Sequence, residues 1–201
     1  MRIAVLVSGS GTNLQALLDA AAAGQLSSAT LALVVSNRPN VKALERGKAA
    51  GVETLVVDHT QFTSREAFDT ALLAALREHN IEGVVLAGFM RILSPVFVDA
   101  FSNRILNTHP ALCPAFPGIH APQQAIDAGV KVSGCTVHLV DSGVDTGPIV
   151  FQECVSVEPE DTAKSLHERI QTMEHRLLPE ATELLARGAL EIDGRRVMVR
   201  A

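Results

Sequence analysis

The chain has 201 residues, 47% of them hydrophobic, enough to bury one full core or at most two small ones. Its 17 Lys and Arg against 22 Asp and Glu give a net charge of −5, and the basic residues form no run, which argues against a nucleic-acid surface. Apolar segments such as 3–7 and 83–87 are too short to span a bilayer, and no basic-then-apolar leader opens the sequence, so no membrane role is expected. Three widely spaced cysteines, Cys113, Cys135 and Cys154, exclude a disulfide framework and a CxxC zinc knuckle. The expected setting is reducing and cytoplasmic.

In chain order, the first half alternates short apolar runs with helical stretches. Residues 3–7 predict a buried strand, and 14–23 a helix capped by Thr12 or Asn13. Strand 30–35, helix 41–50 after Pro39 and strand 53–57 follow, then a helix over 65–79 with Thr63 or Ser64 as its N-cap. Runs 83–87 and 104–107 read as two more strands. Strands separated by helices imply βαβ units, a parallel sheet and functional groups gathered at the carboxyl ends of its strands.

After Pro110 the texture changes. Two prolines and a glycine mark 113–118 as a fixed loop, and 122–128 as a short helix ending at Gly129. Segments 134–140 and 148–157 predict strands added antiparallel to the sheet. Asp161 is placed as the cap of a long helix running to about residue 186, and 190–199 as a hairpin around Asp193-Gly194. The fold expected is α/β, a single domain over 1–201 with a mostly parallel twisted sheet and antiparallel additions in the C-terminal half.

Two regions carry chemistry. Ser8-Gly9-Ser10-Gly11-Thr12-Asn13-Leu14 leaves a strand and opens a helix, where backbone N–H groups and the helix dipole suit a phosphate. Leu14 stands where a dinucleotide fingerprint has its third glycine, and no P-loop Lys follows, so a tight strand-to-helix turn is the alternative. Asn107 and His109, two residues apart at a strand end, share one side and can aim two donors at one oxygen. Asp145, in Asp-Thr-Gly-Pro, can fold over that end and favour the charged donor form of the imidazole; taken alone it reads as an Asx turn.

Other candidates rank lower. Cys113 lies in a Pro-bounded loop with no adjacent base, His138 reads as a satisfied strand histidine, and His120 either caps a helix or lines a cleft. His167 and His175 are too far apart on one helix for a zinc pair, and no metal is expected. Gln171 and Glu174 share a helix face, either solvated or meeting a ribose hydroxyl.

With these motifs stand Ala87-Gly88-Phe89-Met90-Arg91-Ile92-Leu93-Ser94, Phe116-Pro117-Gly118-Ile119-His120, Gly134-Cys135-Thr136-Val137-His138 and Gln171-Thr172-Met173-Glu174-His175. Spread in order along the chain, the set resembles the glycinamide ribonucleotide transformylases, formyltransferases of purine synthesis with a Rossmann-like fold. The resemblance implies glycinamide ribonucleotide and 10-formyltetrahydrofolate as substrates and no metal, with 1–107 as a phosphate-binding half and 108–201 as a catalytic and folate-loop half. It implies that Gly11, Thr12 and Asn13 hold the phosphate, Glu174 the ribose with help from Gln171, and that Asn107, His109 and Asp145 are the catalytic trio. Met90, Arg91, Ile92 and Leu93 would line the folate pocket, with Val140–Asp145 closing over the ring and Arg65 near the glutamate tail. Thr146 replaces a glycine found in some members, and Pro122-Gln123 a His-Arg pair. Two relatives would differ in build, the formyltetrahydrofolate deformylases by a preceding regulatory domain and the methionyl-tRNA formyltransferases by a basic C-terminal one. A non-catalytic nucleotide-binding regulator would leave the trio without a role. Oligomeric state, monomer or homodimer, is left open.

Overall fold

A computed structural model describes residues 1–200. Strands β1 (Arg2–Val7), β2 (Thr30–Ser36), β3 (Glu53–Val56), β4 (Gly83–Leu86), β5 (Ile105–His109), β6 (Val132–Leu139) and β7 (Ile149–Ser156) form one seven-stranded sheet in the order β3-β2-β1-β4-β5-β6-β7. Strands β1 to β5 run parallel, while β6 and β7 join antiparallel. The helices are α1 (Thr12–Ala22), α2 (Lys42–Ala49), α3 (Arg65–Glu78), α4 (Pro95–Ala100), α5 (Ala121–Asp127) and α6 (Ala163–Ala186). A separate hairpin, β8 (Leu190–Asp193) with β9 (Arg196–Val199), forms where the sequence suggests, its turn at Gly194-Arg195 because Asp193 pairs with Arg196.

Period-two alternation along β1 divides the core between the two sheet faces. Ile3, Val5 and Val7 pack with Leu14 and Leu17 of α1 and Ile170 and Leu178 of α6. Ala4 and Leu6 face the other way, onto Phe68, Leu72 and Leu76 of α3 and Phe97 of α4. Each such fully buried leucine stabilises the fold by roughly 1.5–3 kcal/mol relative to an exposed one. The winding direction reverses between β1 and β4, so the loops leaving these two strands part and open a crevice at the carboxyl edge.

The differences from the sequence reading are local. Helix α1 begins at Thr12 rather than Leu14, with Gly11 as its N-cap in the left-handed region (φ 72°) and no side-chain cap. A Cβ on Gly11 would lie 2.7 Å from Ala43 Cβ and 2.8 Å from Ala43 Cα, so only glycine lets α2 come this close. Thr162, not Asp161, caps α6: its side chain accepts from Ser165 N–H, and Ser165 answers at the Thr162 N–H. Asp161 instead pairs with Arg169 at 2.8 Å. Ser64 is the cap of α3, accepting from Ala67 N–H at 3.1 Å. Helix α4 and a short 3-10 turn at His59–Gln61 were not foreseen, being too brief to show a period. Strand β5 starts one residue later and runs two residues further than expected, because Thr136 on β6 pairs with His109.

Candidate active site

Strand β5 carries both Asn107 and His109, and their separation of two residues puts both side chains on one face. Asp145 comes to them from the segment between β6 and β7, itself in the left-handed region (φ 53°). Its two oxygens divide the work. Asn107 Nδ2 donates to Oδ1 at 3.3 Å, whereas Oδ2 lies 3.3 Å from His109 Nδ1 and accepts from Gly118 N–H at 2.8 Å. The other ring nitrogen of His109, Nε2, donates to the Phe116 carbonyl at 2.8 Å. Both ring nitrogens of His109 therefore face oxygen acceptors. His109 is only 4% exposed, so its pair with Asp145 is shielded from water. Burial pushes the Asp145 carboxyl up, but the His138 hydrogen bond, the Gly118 N–H and the charges of His109 and His138 together hold it below the usual carboxylate range.

His138 belongs to this cluster. It is buried on β6 directly across from Asn107, with Nε2 3.1 Å from Asn107 Nδ2 and 3.6 Å from Asp145 Oδ1. Reading it as an ordinary strand histidine missed this contact. The missing information was the β5–β6 register, which alternation on a single strand does not contain.

These groups stand at the base of a cleft of about 650 Å³ with a predominantly apolar wall, a size suited to a ring-bearing small molecule. Met90, Arg91, Ile92, Leu93 and Val140 line it, as do Ile119, His120 and Val144. Met90 and Ile92 are exposed, apolar side chains held open rather than packed away. Arg91 lays its guanidinium 5.1 Å from the Phe68 ring centre, and its buried Nε has no partner. His120 both precedes α5 as its N-cap residue, without a side-chain cap bond, and lines the cleft. Arg65 does not line it; it begins α3, beside Glu66 at 3.4 Å. Over the cleft, Asp141 Oδ1 accepts from Gly143 N–H at 3.0 Å and Thr146 Oγ1 at 2.7 Å, and Thr146 O accepts from Arg195, so Val140–Asp145 has a defined shape. Burial pushes the Cys113 thiol up, which suits its reading as a loop residue rather than a nucleophile.

The loop after β1 forms a second cluster with α6. The first intrahelical bond of α1 runs from Gln15 N–H to Gly11 O, so the amides of Thr12, Asn13 and Leu14 precede any i→i−4 partner. Asn13 Nδ2 donates to Glu174 Oε2 at 3.0 Å, and Gln171 Nε2 to Thr12 Oγ1 at 3.4 Å. Glu174 is 2% exposed and no salt bridge reaches it, while Asn13 Oδ1 is buried without a partner. A solvated face is therefore wrong for Glu174. The signal lay in its spacing: Leu166, Ile170, Glu174, Leu178 and Thr182 recur every four residues on the buried stripe of α6, and a carboxylate there needs a polar purpose. Among the described residues, no group of three or more His, Cys, Asp or Glu could hold a metal ion. No helix there is long and apolar enough to cross a membrane.

Comparison with known proteins bears on this arrangement. The family model described as formyl transferase matches residues 1–182. The chain is 46% identical over 194 residues to a phosphoribosylglycinamide formyltransferase of Mycobacterium tuberculosis, covering 96% of this chain and 89% of that protein. It is 47% identical over 193 residues to the trifunctional purine biosynthetic protein adenosine-3 of Drosophila melanogaster, covering 96% of this chain but spanning only 14% of that longer protein. The crystal structure of glycinamide ribonucleotide transformylase 1 from Symbiobacterium toebii superposes with a TM-score of 0.97 at 49% identity, covering 100% of this chain and 94% of that one. That match includes the parallel sheet with antiparallel strands at its C-terminal end. By sequence over nearly its whole length and by fold, the chain belongs to the formyl transferase family, among the phosphoribosylglycinamide formyltransferases.

Proposed function

We propose that this chain transfers the formyl group of 10-formyltetrahydrofolate to the primary amine of glycinamide ribonucleotide, giving N-formylglycinamide ribonucleotide and tetrahydrofolate, a step of purine synthesis. The observation that carries the reading is the juxtaposition of Asn107, His109 and Asp145 at the base of an apolar cleft. The family membership supports it. In the proposed arrangement the folate ring lies along Met90, Arg91, Ile92, Leu93 and Val140, and its glutamate tail runs outward toward Arg65. The phosphate sits against the loop at Gly11, Thr12 and Asn13, on the opening amides of α1. The ribose hydroxyls donate to Glu174, a buried carboxylate with unused acceptor capacity, with Gln171 beside it.

The amine attacks the formyl carbon and a tetrahedral oxyanion forms. His109 keeps Asp145 on Nδ1 and exchanges the Phe116 carbonyl for the oxyanion at Nε2, while Asn107 supplies the second donor. Asp145, ionised because its pKa is held low, relays a proton through a water from the attacking nitrogen toward the folate nitrogen. Collapse of the intermediate breaks the bond to that nitrogen, which leaves protonated. His138 lies against the Asn107 amide from the facing strand β6.

Folate release from 10-formyltetrahydrofolate, measured with and without glycinamide ribonucleotide, tests this. Release that requires the ribonucleotide is expected. Equal release without it would make the chain a deformylase, and no release in either case would make it a nucleotide-binding module.

A further inference from the structure

We infer that the Ser8 hydroxyl is a positioning residue that ties the folate side of the cleft to the phosphate side, an inference that rests on the transferase reading above. Strands β1 and β4 separate at the crevice after the bond from Ala87 N–H to Leu6 O at 2.9 Å. Gly88 then turns the chain through the left-handed region (φ 72°), and the two loops diverge. One side chain spans the gap. Ser8 Oγ accepts from Met90 N–H at 2.9 Å and donates to Asn37 Oδ1 at 2.6 Å. Donating and accepting together fix the hydroxyl rotor.

Asn37 is fixed in turn. Its carbonyl accepts from His59 N–H at 3.3 Å and lies 2.8 Å from His59 Nδ1, while its Nδ2 is 3.3 Å from the same ring nitrogen. Ser8 is 6% exposed and Asn37 2% exposed, so water does not substitute for a lost partner. The Met90 side chain, by contrast, is 66% exposed and packing does little to locate it. The backbone bond to Ser8 sets where the start of the 90–93 wall lies.

The phosphate amides have different anchors, the α1 helix and the contact of Gly11 with Ala43, neither of which uses the Ser8 side chain. Loss of the hydroxyl therefore acts on one substrate only. A 5,8-dideazafolate analogue that cannot give up a formyl group reads folate-site affinity without turnover. Relative to the unaltered chain, Ser8→Ala is expected to weaken the analogue, and raise the folate KM, about tenfold, with the ribonucleotide KM within about twofold. Ser8→Thr, which keeps the hydroxyl, is expected to recover the folate affinity to within about threefold. Asn37→Ala leaves the hydroxyl without its acceptor and is expected to move folate affinity alone, in the same direction and by less, which decides the matter should Ser8→Ala not fold. Unchanged analogue binding in the alanine variants, a parallel loss for both substrates, or no recovery in Ser8→Thr would overturn the inference. Failure of the transferase reading would appear separately, as an unaltered chain that turns nothing over, while the analogue titration still reports on Ser8.

Discussion

The two halves of the candidate site are built by different means. At the end proposed for the phosphate the geometry is backbone: a left-handed Gly11 against Ala43, the opening amides of α1, and one buried carboxylate from α6. At the cleft end it is side chain on side chain, with Asn107 and His109 from β5 and His138 from β6 each within 3.6 Å of a carboxylate oxygen of Asp145, which comes from a later segment. A backbone site tolerates changes in most neighbouring side chains but not a Cβ where none fits. A side-chain site folds without any one of its members and loses its chemistry instead.

The largest expected effect tests that second half. Asn107→Ala removes one oxyanion donor and is expected to lower turnover about 100- to 1,000-fold, with the circular dichroism spectrum and the ribonucleotide affinity unchanged. A folded variant keeping most of its activity would take Asn107 out of the chemistry. Gly11→Ala tests the first half with the opposite signature. The left-handed backbone and the 2.7 Å approach to Ala43 both resist a methyl group, so a stability loss of roughly 1–3 kcal/mol is expected. Ribonucleotide affinity falls with it, since α2 and the loop must move apart. Thermal melts and an equilibrium titration with the ribonucleotide separate the two effects.

A smaller effect is expected at Glu174. Glu174→Gln keeps the shape and the contact to Asn13 but weakens acceptance from ribose hydroxyls, and the ribonucleotide KM is expected to rise about tenfold or more, as loss of a charge-assisted hydrogen bond allows. The folate KM is expected to stay put. If both rise together, the two halves are not independent and the division drawn here fails at α6.

This division also explains what the sequence could tell. Glycine spacing after a strand is a local signal, so the strand-to-helix loop at 8–14 was legible, although its helix starts two residues earlier, and the packing of Gly11 on Ala43, far along the chain, was not. Alternation of strands and helices gave the parallel sheet, since each crossover leaves its own period. Residue types at the cleft were legible too, Asn107 and His109 by their spacing and Asp145 by its turn. Their partners were not. His138 and Gly118 join the cluster through the antiparallel pairing of β6 and the fold of the 110–120 loop, and register is a property of two strands, not one. Glu174 was half-legible, because a carboxylate on an apolar stripe is visible in the pattern, whereas its burial against Asn13 needs α1 in place.

The Asp145 carboxylate also bears on stability rather than on rate alone. Asp145 has its pKa held below the ordinary aspartate value despite its burial, because hydrogen bonds and the charges of His109 and His138 favour the ionised form. The folded state therefore binds fewer protons than the unfolded chain between the two pKa values, and stability rises with pH across that window. The contribution is complete above the ordinary aspartate pKa of about 3.9 and is lost as pH falls through the lowered folded value. Thermal melts from neutral pH down to about pH 3 should show the unaltered chain losing stability more steeply than Asp145→Asn, with the difference between the two curves confined to the acid side. A constant offset between the curves would mean that Asp145 acts through packing and not through its charge. A steeper fall in Asp145→Asn would mean that the acid response of the cleft does not come from this carboxylate.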